Sequence, residues 1–293
     1  MVSLATRLPG ALLAGALAVA LLVAGCASAQ ASPTPQLSSS PPPSPSGPTP
    51  GSFYLRAWRT QALEPQYTFG WLPVATVTGG SFIDGQVAVP AIYPGPLWIG
   101  PSASPISEEG IATIVAEAGR LGMLGETGDF TADMAPGSVV GHILMVVNGR
   151  SYELAGDPER LLRCRCIPEP GTAPAFAAFW QQVTNMREWL GEYLGPSQPY
   201  QPERLAVLVR PPVEGESGIT PGQMDWPLAT SFTGFGADFG GGLRCGVVSG
   251  ADLALLVPVL KQANQLTRFE DAEGAIRSLQ TRVLVPTEPS PCG

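Results

Sequence analysis

Histidine and lysine are nearly missing from this chain of 293 residues: each occurs once, as His142 and Lys261. Their scarcity excludes histidine-cluster metal sites and leaves little for Ser-His or Ser-Lys catalysis. Charge is scarce too, at 14% of residues, too little for a coiled coil or a highly charged disordered chain. What charge there is leans acidic, with 24 Asp+Glu against 16 Lys+Arg and a net of −8. Nucleic acid is therefore excluded as the main partner, because a phosphate backbone selects a clustered basic surface. Catalytic motifs are absent as well. There is no G-x-S-x-G for a nucleophile elbow and no S-x-x-K. Gly234–Gly240 (GFGADFG) has the wrong spacing for a dinucleotide loop and reads as a plain loop. Asp129-Phe-Thr-Ala-Asp133 alternates oxygens as calcium loops do, but lacks the glycine at the sixth position and the glutamate at the twelfth. Catalytic, cofactor-binding and metal-binding residues are accordingly expected to be none.

Proline and glycine are abundant instead, at 32 and 35 residues. Eight of the prolines, with seven serines and no charge, crowd into residues 27–50. Such a segment forms no core and favours extended polyproline-like conformations. Ahead of it, Arg7 precedes an apolar run over 8–25 that ends in Val23-Ala24-Gly25-Cys26. An aliphatic residue, two small residues and a cysteine look like a bacterial lipobox. Residues 1–25 are expected to be a lipoprotein signal peptide, and Cys26 the lipid-attachment residue. The alternative is an uncleaved membrane anchor with an incidental cysteine, which leaves the same domain outside the membrane. Acyl chains, each methylene contributing about 0.8 kcal/mol when buried, would hold the protein to membrane lipid through Cys26. Residues 26–51 then form a tether reaching up to about 75 Å, at roughly 3.1 Å per residue. The expected location is the cell membrane, lipid-anchored and facing outside the cytoplasm, with an extracytoplasmic domain over 52–293. Without Arg7 its charge is near −9, so a negative leaflet repels it and the lipid must do the holding.

Four cysteines remain: Cys164, Cys166, Cys245 and Cys292. An even number outside the cytoplasm suggests two disulfides. Cys245–Cys292 is the favoured pair. Cys164 and Cys166 either close a small ring or each reach a distant partner; as a lone CRC they are too few for zinc.

The domain reads as α+β, with antiparallel sheet packed against helices. Tyr67–Val77 is rich in aromatic and β-branched residues and reads as a strand, with a turn at Asp84-Gly85 and a return strand over Gln86–Val89. Ser107 is a good helix N-cap, with Ile106 and Ile111 as a hydrophobic staple and Gly122 as a stop. Ser138–Val147 and Arg150–Ala155 flank Asn148-Gly149, a type I′ hairpin signal. A long helix is expected over Pro174–Leu194, then a strand over Arg204–Arg210. Ser249 opens another helix, strained by Pro258, followed by strands at Thr267–Glu270 and Ile276–Val285 around Gly274. Ile106–Ile111 and Val248–Leu253 match position by position, so two related helix–hairpin units are expected, with halves at 52–170 and 171–293.

The order of YTFGWLP (Tyr67–Pro73), YPGPL (Tyr93–Leu97), SEEGI (Ser107–Ile111), Trp189-Leu190-Gly191, Tyr200–Leu205, Asp225–Leu228, Arg244-Cys245, Val248–Leu253, Val283–Pro286 and Cys292 resembles an uncharacterised family of exported bacterial lipoproteins. The resemblance spans nearly all of the mature domain. It implies an exported domain with shared packing and turn residues. It supplies no catalytic residues, and CRC is more compact than the spaced cysteine pair of that family.

For function, nine aromatics fall between Phe53 and Trp98 among several prolines, a composition for stacking on a glycan or an envelope protein, or else for filling a sheet core. His142 sits on one strand face with Val140, Leu144 and Val146. Glu108 and Glu109 are explained by the helix dipole; Asp238 and Glu126 are free for acid–base work but unpaired. The leading expectation is a membrane-anchored, non-catalytic binding or envelope-interaction domain. The alternative is a carboxylate-dependent hydrolase acting on cell-envelope material.

Overall fold

The computed structural model describes residues 52–87, 92–126, 128–164, 166–214 and 219–293. The expected signal peptide, Cys26, the tether and the far end of the Gln86–Val89 strand lie outside the described residues. All described residues belong to one compact unit.

The first sheet holds β1 (Tyr54–Thr60), β2 (Ala75–Thr78), β3 (Ser81–Asp84), β4 (Ser102–Pro105), β5 (Asp129–Phe130), β6 (Val140–Val147), β7 (Arg150–Gly156) and β8 (Gln198–Pro199). Their spatial order is β5-β7-β6-β1-β2-β3-β4-β8. Helices α1 (Pro65–Thr68), α2 (Glu108–Arg120), α3 (Arg160–Arg163), α4 (Ala173–Thr184) and α5 (Met186–Leu190) intervene. The second sheet holds β9 (Arg204–Arg210), β10 (Gln223–Asp225), β11 (Ala237–Gly240), β12 (Leu243–Ser249), β13 (Arg268–Glu270) and β14 (Ile276–Leu284), ordered β10-β13-β14-β9-β12-β11, with α6 (Gly250–Leu260) between β12 and β13. The fold is α+β. The sheets are antiparallel except at one edge of each, where β5 joins β7 and β10 joins β13 in parallel.

Each sheet has its own core. Leu55, Ala57, Ile143 and Met145 meet Ile111 and Ile114 of α2 and Phe176, Phe179 and Val183 of α4. Leu205, Val207 and Val209 meet Leu253, Leu256 and Leu260 of α6 and the rings of Trp226, Phe232 and Phe235. The other face of β9 is buried as well: Ala206 and Leu208 pack with Cys245, Leu284 and Phe69.

Local signals account for several elements. Ser107 Oγ accepts from the Gly110 N–H at 3.2 Å, and Ile106 and Ile111 share one core. At the β6–β7 turn Asn148 and Gly149 have φ of 51° and 79°, as a type I′ turn requires. Gly122 ends α2 at φ 75°, and a Cβ there would lie 2.5 Å from the Gly171 nitrogen.

Other expectations change. Tyr67–Val77 is not one strand: Pro65 starts a helical turn, and only Ala75–Thr78 pairs. The turn after β2 is Gly79-Gly80, both at positive φ, so Asp84 ends β3 instead of opening a turn, and Gln86-Val87 is unpaired. The long middle helix breaks at Asn185, whose side chain donates to the Gln181 carbonyl at 2.8 Å. Ser249 stands at the N-cap of α6 without a side-chain bond, and Pro258 lies inside that helix two residues before its end. The two helix–hairpin units share element order only. In the first sheet the leading hairpin strand, β6, pairs with the central β1; in the second the trailing strand, β14, pairs with β9. The change of sheet falls between Pro199 and Arg204, not at 170/171, because α4 packs on the first sheet.

Candidate functional site

An arginine in the middle of a sheet defines the site. β1 alternates, with Leu55 and Ala57 turned into the core and Arg56, Trp58 and Thr60 on the opposite face. Arg56 is only 8% exposed. Register puts Thr76 of β2 beside Arg56 and His142 of β6 beside Trp58. The Arg56 guanidinium carbon lies 4.5 Å from the Trp58 ring centre. The indole also stacks on His142, centroids 5.1 Å apart and planes 12° apart. His142 Nε2 is 2.7 Å from Thr60 Oγ1. Burial holds this imidazole below its ordinary pKa, so it is uncharged at neutral pH.

The facing wall comes from β14 and the C-terminal segment. Arg282 pairs with Glu288 Oε1 through Nη2, and Glu288 Oε2 accepts the Val285 N–H at 3.0 Å. Arg204 donates to the Glu288 carbonyl at 2.7 Å. Two residues of this wall, Pro289 and Pro291, lie just before Cys292, which is bonded to Cys245 of β12 with Cα atoms 5.2 Å apart. Thr68, Trp71 and Pro73 close a third side. The open cavity between these walls has a volume of about 340 Å³.

Its electrostatics oppose those of the chain. Arg56, Arg59, Arg282 and one carboxylate, Glu288, line it, but the Arg59 guanidinium turns to the core face of β1, 5.9 Å from the Trp180 ring, so Arg56, Arg282 and Glu288 leave a net charge of +1 in an acidic protein. Several other arginines are satisfied. Arg187 donates to Asp84 at 2.7 Å and to Ser102, Ser104 and Ser197. Arg244 donates to the carbonyls of Phe235 and Gly236, and Arg268 to that of Val213. Arg56 makes no hydrogen bond or ion pair with any described residue, and its Nε is buried without a partner. Thr76 Oγ1 beside it and Arg282 Nε across the cavity are buried without partners too. A buried donor left unpaired costs about 1–3 kcal/mol, more when charged.

Two other cavities are less pointed. One of about 470 Å³ runs past Leu72, Leu97, Leu279, Arg210 and Gln265 and shares Arg282. Another, between Tyr200 and Thr287, is lined by Glu203 and Glu288, but both Glu288 oxygens are already engaged. A pair of free carboxylates therefore does not converge there.

The residues singled out in the sequence scatter. Of the nine aromatics, Phe53, Phe69 and Phe82 are core, while Tyr67 and Tyr93 are exposed at 66% and 50%. Trp58 and Trp71 line the arginine cavity. His142 shares its face with Val140, Leu144 and Val146, all half-buried on the side away from the helices. Asp129 is held low in pKa by accepting from Thr131, and Asp133 contacts Arg160 at 3.4 Å. No group of three metal-ligating side chains occurs among the described residues. Asp238 accepts from the Gly240 N–H, a local turn contact. Cys164 and Cys166 are bonded to each other in the loop after α3. Sequence reasoning missed Arg56, Arg59 and Arg282; the available signal was two arginines flanking a tryptophan within the alternating run YLRAWRT.

Comparison with family models, curated proteins and solved structures found no match for this chain.

Proposed function

We propose that this protein is a lipid-anchored, extracytoplasmic binding domain, without catalysis of its own, that captures a negatively charged ligand in the cavity between β1 and the C-terminal segment. One observation carries the reading: Arg56 is buried in a cavity wall, and no carboxylate among the described residues pairs with it. Folding tolerates such a group where a ligand later supplies the counter-charge. The neighbouring tryptophans and the spent carboxylate support binding over hydrolysis. The lipobox at Cys26 and the Pro/Ser-rich tether support placing the domain outside the cytoplasm at the membrane.

The test is a thermal-shift titration of the full chain with small anions at constant ionic strength. A ligand at a hundred times its Kd stabilises by about 2.7 kcal/mol, so a saturable rise is expected with at least one anion. No rise with any anion would refute the reading. For the anchor, Cys26→Ser is expected to move the protein from the membrane to the soluble fraction.

A further inference from the structure

We infer that the Cys164–Cys166 disulfide is a redox site that hands its bond to a pair of thiols on an unfolded polypeptide outside the cytoplasm. The arginine cavity plays no part in it. The two disulfides differ first in access. Cys245 is buried, and its partner Cys292 is half-buried in the C-terminal segment. Cys166 is exposed and Cys164 half-buried, in the loop after α3. Exchange requires a thiolate to reach a sulfur, so the bond at Cys166 is open to attack and the other is shielded. The fold also depends on the two bonds unequally. A bond across a separation of 2 restrains the unfolded chain far less than one across 47. The loop is held at both ends without it: the Cys164 N–H donates to the Arg160 carbonyl and the Gly171 N–H to the Leu121 carbonyl, each at 2.9 Å. Opening the bond leaves both anchors in place.

The neighbours of the bond identify the partner's chemistry. Leu162 and Ile167 are 76% and 83% exposed, the two most exposed large apolar side chains among the described residues, and they flank the cysteines on either side. Apolar side chains displayed in this way meet apolar surface on another molecule. An exported polypeptide that has not yet folded offers both apolar side chains and free thiols. The exchange balances in two steps. One thiolate of the partner attacks Cys166 Sγ; the S–S bond breaks, and its electron pair leaves on Cys164 Sγ. A mixed disulfide then joins the two chains. The partner's second thiolate attacks its own sulfur in that bond and expels the Cys166 thiolate. The partner departs with a disulfide, oxidised by two electrons, and Cys164 and Cys166 hold those electrons and, once protonated, the two protons. The exchange is stoichiometric, one bond per chain, and adds no catalysis to the binding domain proposed above.

The test incubates the full, oxidised chain under argon with a synthetic dithiol peptide in two forms, its cysteines flanked by leucine or by serine. Alkylation and mass spectrometry then identify the free cysteines. The leucine peptide is expected to become oxidised while Cys164 and Cys166 turn alkylatable and Cys245–Cys292 stays closed. A peptide with a single thiol is expected to be caught on Cys166. The double variant Cys164→Ser, Cys166→Ser is expected to leave both peptides reduced. Leu162→Ser with Ile167→Ser, both at exposed positions that folding does not need, is expected to slow the leucine peptide threefold or more and to leave the serine peptide unchanged. If the leucine peptide stays reduced, or if Cys245–Cys292 opens as fast as Cys164–Cys166, the redox site is overturned. If the two peptides react at equal rates, the assignment to an unfolded polypeptide is overturned. Neither failure touches the anion reading, which the thermal-shift titration tests separately.

Discussion

Removing the charge at position 56 is expected to make the unliganded protein more stable. In Arg56→Met the side chain keeps its length and apolar stem, so it fills the same space beside Trp58. The buried, unpartnered donor disappears, a gain of about 1–3 kcal/mol or more for a charged group. The cation–π contact at 4.5 Å disappears with it, a loss of about 0.5–2 kcal/mol. At mid-range the net is a stabilisation of about 1 kcal/mol. For a domain of this size each kcal/mol shifts Tm by about 2–4 °C, so a rise of about 2–4 °C is expected. Differential scanning calorimetry at pH 7, in a zwitterionic buffer without added oxyanions, measures it. Arg187→Met is the control of opposite sign. It removes hydrogen bonds to Asp84, Ser102, Ser104 and Ser197 and strands Asp84, and it is expected to destabilise by about 2–3 kcal/mol. Added phosphate should then raise the Tm of the parent and not that of Arg56→Met, closing the gap between them. If Arg56→Met melts lower than the parent in anion-free buffer, Arg56 is a structural residue and the argument from its missing counter-charge fails.

Four further outcomes are expected. The Cys245–Cys292 bond closes a separation of 47 residues, so the double serine variant should lose up to about 4 kcal/mol in urea unfolding, whereas Cys164–Cys166, with a separation of 2, should contribute under about 2 kcal/mol. His142 and Asp271 both have folded pKa values below their ordinary 6.5 and 3.8, His142 through burial and Asp271 chiefly through the Phe232 N–H it accepts. In both cases the unfolded chain takes up the proton first, so stability is full above pH 6.5, declines as pH falls below it and declines again in the acid range below 3.8. Titrating Tm against pH should show His142→Gln abolishing the first decline and leaving the second. Gly246→Ala would place a Cβ 2.7 Å from the Phe235 ring and should cost about 1–3 kcal/mol by chemical denaturation. Phe179→Ala, at a fully buried position between α4 and the first sheet, should cost about 3–5 kcal/mol in the same assay.

Elements whose cause is local were legible in the sequence. The β6–β7 hairpin follows from two adjacent residues that tolerate positive φ, and α2 from a serine cap and its staple. The strand β1, central to the first sheet and to the site, was not legible. Two arginines and an exposed end blur its alternation, and what makes it a strand is pairing with β6, more than eighty residues away in sequence. Tyr67–Val77 misled in the other direction: its aromatics favour a strand, but Pro65 and packing of Phe69 under the second sheet bend it into a turn. The break at Asn185 is a side chain competing for a helix carbonyl, which periodicity does not register. The site was half visible. Trp58, Trp71 and Cys292 drew notice by type, whereas the meeting of Arg56 with Arg282 and Glu288 is a tertiary fact without a sequence spacing.

The wall formed by Glu288–Pro291 has a consequence for the order in which the protein acquires its binding site. Tyr54 on the β1 side reaches the carbonyl of Pro286, 232 positions along the chain. Neither wall is a cavity by itself. During synthesis the β1 side is made early and waits, with its cation on an open sheet face, until the segment through Cys292 arrives. The bond to Cys245 then fixes that segment, and thiols stay reduced in the cytoplasm. On the export route proposed above, the pocket would be complete only after the chain had crossed to an oxidising compartment, and a newly made chain would pass through the cell interior with this cavity still open on one side.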